Sequence, residues 1–150
     1  MIWPPVASRR RRDIGSSRGP DTVGSRIELD LGDPEDNYNV IAATGELDLS
    51  TASLFADSLR RAYAGPAGGV LVDLTDCGFI DSTGVSILLN AYRRQTRARE
   101  GLAVICPNPT PRRVFEITGT LDTLNVVPDR EAGEAAIAQS RDKLAEAPSD

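Results

Sequence analysis

Asp81-Ser82-Thr83-Gly84 places two adjacent hydroxyls behind a carboxylate at the point where one kind of apolar pattern gives way to another. Before it, Val70 to Leu74 is a short β-branched run of the kind buried on both faces of a sheet. After it, apolar residues recur at Val85, Leu88, Leu89 and Tyr92, the spacing of one helix face. A strand therefore hands over to a helix through a turn, with Asp76, Gly78 and Asp81 supplying turn chemistry. The start of a helix exposes N–H groups without intrahelical partners and carries the positive end of the dipole, so a phosphate there is held favourably. The same four residues also make a sound helix start by capping alone.

What the chain lacks narrows the chemistry. It contains no histidine, which removes the Ser-His-Asp triad, the imidazole base and the ordinary zinc site. Cys77 and Cys106 match no C-x-x-C spacing, fall at or just after predicted strand ends, and read as reduced thiols of a cytosolic protein. The glycines around Pro66 precede a strand and are followed by no Gly-Lys-Ser/Thr, so they form a turn and not a phosphate cradle. No apolar run approaches the roughly 20 residues of a membrane span. The net charge of −5 conceals an asymmetry, because residues 1–26 hold six arginines against two aspartates. The remainder is acidic and makes a poor nucleic-acid binder.

The elements that must position the turn follow in order along the chain. Residues 1–25, with Arg9 to Arg12 and a Ser, Gly and Pro-rich stretch, read as a disordered basic tail, and 148–150 as a frayed end. Between them, 26–147 is one domain. Ile27, Leu29 and Leu31 alternate with acids as in a strand with one wet face, and Gly32 to Asn37 turn the chain into a partner strand, Tyr38 to Thr44, ending at Gly45. Ser50 or Thr51 caps a helix whose inner side carries Ala52, Phe55, Leu59, Ala62 and Tyr63. Beyond the central helix, which closes on Arg93, Arg94, Arg97 and Arg99, Leu102 to Cys106 is another buried strand. Thr110 caps a short helix with Pro111 first and Val114, Phe115 and Ile117 inward. A last strand at Leu124 to Val126 leads into an alanine-rich helix opened by Pro128 or Asp129 and anchored by Ile137 and Leu144. This order predicts an α/β domain with a mixed, mainly parallel sheet and about four helices packed against it.

Three segments in this order, Thr44-Gly45-Glu46-Leu47-Asp48, Val72 to Gly84 and Pro111 to Leu121, resemble the STAS domain of bacterial anti-sigma factor antagonists, over about Arg26 to Ala145. The resemblance implies a STAS-like fold and a binding module that is not an enzyme and takes no cofactor or metal. It implies as partners an anti-sigma factor serine/threonine kinase, bound while the antagonist is unphosphorylated, and a serine phosphatase that resets the switch. By residue match the acceptor is Ser82, with Thr83 a minor alternative where many members carry a second serine. Asp81 and Gly84 shape the turn, Glu46 and Asp48 lie on a loop beside it, and these residues with Ser82, Thr83 and Ser86 form the partner-binding surface. The implied setting is the cytoplasm, with no direct contact to nucleic acid. For Glu46 and Asp48 a solvated acid at a helix start explains the residues equally well.

Two other readings keep the same residues. STAS-like domains also serve as interaction subunits of transport or signalling complexes, where the serine is unused. An enzyme using Ser82 as nucleophile is the third, but no base placed to activate a serine is visible.

Overall fold

The computed structural model describes residues 27–32 and 38–146. The expected tail at 1–25, most of the first turn and the frayed end at 148–150 lie outside them.

β1 (Ile27–Leu31) and β2 (Tyr38–Leu47) form the antiparallel hairpin that the alternation predicts, with Leu29 opposite Ala43. From there the chain alternates through α1 (Ala52–Tyr63), β3 (Gly69–Asp73), β4 (Cys77–Ile80), α2 (Ser82–Arg97), β5 (Leu102–Ile105), α3 (Pro109–Thr118), β6 (Val126–Val127) and α4 (Arg130–Glu146). The strands make one mixed sheet in the order β1-β2-β3-β5-β6, and every pairing after the hairpin is parallel. The mixed, mainly parallel sheet and its four helices match the architecture expected, while the six strands among the described residues are one more than the sequence predicts.

Alternation along the parallel strands divides the core between the two faces of the sheet. Val70, Val72, Leu102 and Val104 point to one face with Phe55, Leu59, Leu88 and Phe115 from α1, α2 and α3. Leu71, Ala103 and Ile105 point to the other, where Ile137 of α4 covers them together with Tyr38 and Val40. Being buried on both faces is what makes Val70 to Leu74 a continuous apolar run.

Four local expectations are corrected. The segment 77–80 is a strand and not a turn: β4 pairs with the C-terminal half of β2, which runs through Gly45 to Leu47 instead of stopping. The register shifts there, Gly45 facing Cys77 but Glu46 facing Phe79, so Gly78 is the extra residue of a bulge. Gly45 takes φ 116°, a conformation closed to most side chains, and this lets the strand continue where glycine suggested an end. Asn108, not Thr110, caps α3; its Oδ1 accepts the Thr110 N–H at 3.1 Å, and Pro109 is the first helical residue. A proline at that place loses no hydrogen bond and holds the residue before it extended. Ile117 points to solvent at 74% exposure, because the inner side of α3 is set by Pro111 and Phe115. The last strand is Val126–Val127: Leu124 is buried in the preceding turn, and Asn125 breaks the strand with φ 52° while its amide donates to Leu102 O at 2.8 Å.

Candidate functional site

Each parallel strand before a helix delivers that helix to the same edge of the sheet, so α1, α2, α3 and α4 all begin at the carboxyl ends of β2, β4, β5 and β6. This edge is where open α/β sheets carry their binding residues. The Ser82 turn lies in it, fixed from both sides. Leu47 pairs with Ile80, and the Asp81 N–H donates to Leu47 O at 3.1 Å, which joins the end of β2 to the start of α2.

Asp81 is the N-cap of α2, with extended φ −113° and ψ −175°. Its Oδ1 accepts the N–H groups of Thr83 at 2.9 Å and Gly84 at 3.3 Å, and its carbonyl accepts the Val85 N–H at 3.2 Å. Ser82 is the first helical residue and is exposed, Thr83 is half-buried, and Ser86 is exposed one turn further on. This alters the expected anchoring of a phosphate. Two of the amides that would greet it already hold the Asp81 carboxylate, so a phosphate on Ser82 meets a fixed negative charge and points outward.

Gly84 is buried against the floor of the turn. A Cβ there would stand 2.7 Å from Ile80 Cγ1 and 3.3 Å from Leu47 Cβ, so the absence of a side chain is what lets α2 start so close to β2 and β4.

The loop after β2 is rigid for local reasons. Asp48 Oδ1 accepts the Ser50 N–H at 2.9 Å, the Ser50 hydroxyl at 2.7 Å and the Thr51 N–H at 3.2 Å. The Thr51 hydroxyl donates to Glu46 O at 2.9 Å and accepts the Asp48 N–H at 3.0 Å. Asp48 thus shapes the start of α1, as an acid there is expected to do, while half-buried Glu46 stands across from Phe79 on β4. Of the sequence-predicted site residues, Asp48 lies on the loop after β2, Asp81 to Gly84 on the turn that opens α2 and Ser86 one turn further along, while Glu46, expected on the loop, is the second-last residue of β2, because that strand continues to pair with β4.

Sequence reasoning missed two apolar side chains on the same edge. Leu49, held out by the Asp48 turn, is 77% exposed, and Phe79 is 43% exposed. Leu49 had a signal, an isolated leucine between two polar turn residues. Phe79 had none until 77–80 was recognised as a strand.

Cys77 and Cys106 are free, buried thiols at the base of the edge. The Asn108 amide donates to Cys77 O at 3.4 Å and ties α3 to β4. Burial pushes the Cys77 thiol above its ordinary value, and burial followed by the neighbouring Cys77 raises Cys106 to about 12. The folded chain therefore keeps protons that the unfolded chain releases near pH 9. Folding stability is intact below that pH and falls as pH rises towards 12, at most about 1.4 kcal/mol per pH unit for each thiol. Urea midpoints between pH 8 and pH 10.5 should decline, and less steeply in Cys106→Ala; identical slopes would contradict the assignment. Among the described residues no group of three or more His, Cys, Asp or Glu side chains is placed to hold a metal ion, and no helix is long and apolar enough to cross a membrane.

Among the described residues, a mixed sheet with four helix starts at one edge, one of them led by an exposed serine behind an aspartate cap, defines a small α/β domain. The chain belongs to the STAS domain family, whose model matches residues 34–133. Among relatives, it is 28% identical over 101 residues to an anti-sigma-B factor antagonist of Listeria monocytogenes, covering 67% of this chain and 88% of that one. An anti-sigma factor antagonist from Mycobacterium paratuberculosis has the same fold, with TM-score 0.67 at 24% identity over 77% of this chain and 97% of that one. The Bacillus cell fate determinant SpoIIAA in its phosphorylated form superposes with TM-score 0.55 at 25% identity, over 74% and 97% of the two chains.

Proposed function

We propose that this protein is an anti-sigma factor antagonist whose binding is switched by phosphorylation of Ser82. The observation that carries the reading is the exposed Ser82 hydroxyl at the first position of α2, on a turn fixed by Asp81 and Leu47. The names of its relatives point the same way: antagonists of anti-sigma factors, one of them solved in a phosphorylated form. Unmodified, the edge made by Glu46, Leu49, Phe79 and Ser82 binds an anti-sigma factor that is also a serine kinase. A phosphate on Ser82 adds about −1.5 to −2 charges beside the Asp81 carboxylate and ejects the partner, and a phosphatase reverses the step.

The assignment is tested by incubating wild type and Ser82→Ala with the cognate kinase and ATP and mapping the product by mass spectrometry. One phosphate on Ser82 is expected in wild type and none in the variant, since Thr83 is half-buried behind it. A phosphate retained by Ser82→Ala moves the acceptor elsewhere.

Leu49 should act as an apolar anchor of this interface. Because it is exposed, Leu49→Ala should change folding stability by less than about 0.5 kcal/mol. Its affinity for the kinase should drop about tenfold, the scale of a well-desolvated contact. Isothermal titration calorimetry at equal fold stability measures this; unchanged affinity places Leu49 outside the interface.

A further inference from the structure

The end of the molecule away from Ser82 carries a concentration of charge that the switch does not use. α1 and α2 pack side by side, and the Arg94 guanidinium lies over the Tyr63 ring at 4.5 Å from its centroid, so their C-terminal turns share one end. Arg60 and Arg61 stand in the last turn of α1, Arg94 and Arg97 in that of α2, with Arg93 beside them; all five are exposed. Arg60 pairs with Asp57 on its own helix. Arg93 Nη1 donates only to the neutral Asn90 Oδ1, at 2.9 Å. Among the described residues no carboxylate pairs with Arg61, Arg93, Arg94 or Arg97.

Helix-end electrostatics accounts for part of this, since a cation in a last turn gains about 0.3–1 kcal/mol from the dipole. It does not account for setting two such ends together, where the guanidiniums repel one another, in a chain whose net charge is −5. Stacking on Tyr63 and the bond to Asn90 hold two of the forks in place, and an ordered fork is suited to bidentate contact with a carboxylate.

We propose that the C-terminal ends of α1 and α2 form a second binding surface, for a carboxylate-rich protein segment, independent of the Ser82 edge. A protein segment suits it better than duplex nucleic acid, because the acidic remainder of the domain repels a long polyanion while a short acidic strand covers only the arginine end. Arg97 lies fifteen residues along the helix from Ser82, roughly 22 Å. Both surfaces can therefore be occupied at once, which would let a switch partner and a second protein be held together.

Fluorescence anisotropy of the full chain with a labelled peptide of alternating glutamate and glycine tests this at about 50 mM salt, with duplex DNA and phosphatidylserine vesicles as competing probes. Wild type should bind the peptide, with affinity falling as salt rises. Arg93→Gln/Arg97→Gln should lose about tenfold and Arg93→Glu/Arg97→Glu more, each with an unchanged melting profile, while Ser82→Ala should bind as wild type does. No binding by wild type overturns the proposal, as does equal binding by the charge-reversed variant or tighter binding of DNA or vesicles than of peptide.

Discussion

Ser82→Ala should remain on its kinase in the presence of ATP while wild type dissociates, with at least about a hundredfold separating the two apparent affinities. A hundredfold requires only about 2.7 kcal/mol. One phosphate can supply it here because the turn gives it nowhere to hide. The Thr83 and Gly84 amides are occupied by Asp81, so the added charge is not neutralised within the domain and must be desolvated whenever the partner closes on the edge. The loss should appear as faster dissociation, since the partner would trap the charge against Asp81 and the apolar side chains of Leu49 and Phe79. Surface plasmon resonance with and without ATP distinguishes the outcomes. If wild type and Ser82→Ala are retained equally in ATP, phosphorylation is not the release step.

The second large effect is on the scaffold. Gly84→Val should destabilise the domain by about 3 kcal/mol, the upper part of the range for overpacking a filled site. Even the first added carbon would meet Ile80 Cγ1 at 2.7 Å, and Ile80 is itself buried. Relief requires α2 to move off the ends of β2 and β4, which would pull the Asp81 cap away from Leu47. The variant should therefore lose partner binding even at temperatures where it stays folded. Gly78→Val is the control, because nothing lies within 4 Å of a Cβ at Gly78. Equal urea midpoints for the two would show that contact at Gly84 is not what limits the turn.

Legibility in the sequence tracked the strength of periodic signals. Leu71 and Val72 point to opposite faces and both find cover, and a β-branched run announces that environment directly. The helix at Val85 was equally plain, and so was Ser82 at its start. β4 was not, because four residues containing a glycine cannot establish a period of two, and its sheet partner among the described strands lies more than thirty residues earlier. The cap of α3 is obscured for a related reason: Asn108, Thr110 and two prolines offer several starts, and in the structure Asn108 takes the cap while its amide reaches Cys77 O. The resemblance to STAS domains singled out Ser82 as the serine to test. It did not show that Asp48 Oδ1 accepts the Ser50 and Thr51 N–H groups at the start of α1, the local role that the residues themselves offered for an acid at a helix start.

Among the described strands β4 pairs with β2 alone, through three residue pairs, and leads directly into α2. If Ser82 is the acceptor of the proposed switch, a kinase must bring its hydroxyl to the γ-phosphate of ATP, and that hydroxyl stands in the opening turn of α2. Should the kinase need that turn to open, the release of Asp81 from two amides, about 1 kcal/mol for a cap, would enter the phosphorylation rate. The clock of such a switch would then be set partly by its substrate, through how readily one turn of α2 comes undone while the sheet behind it stays closed.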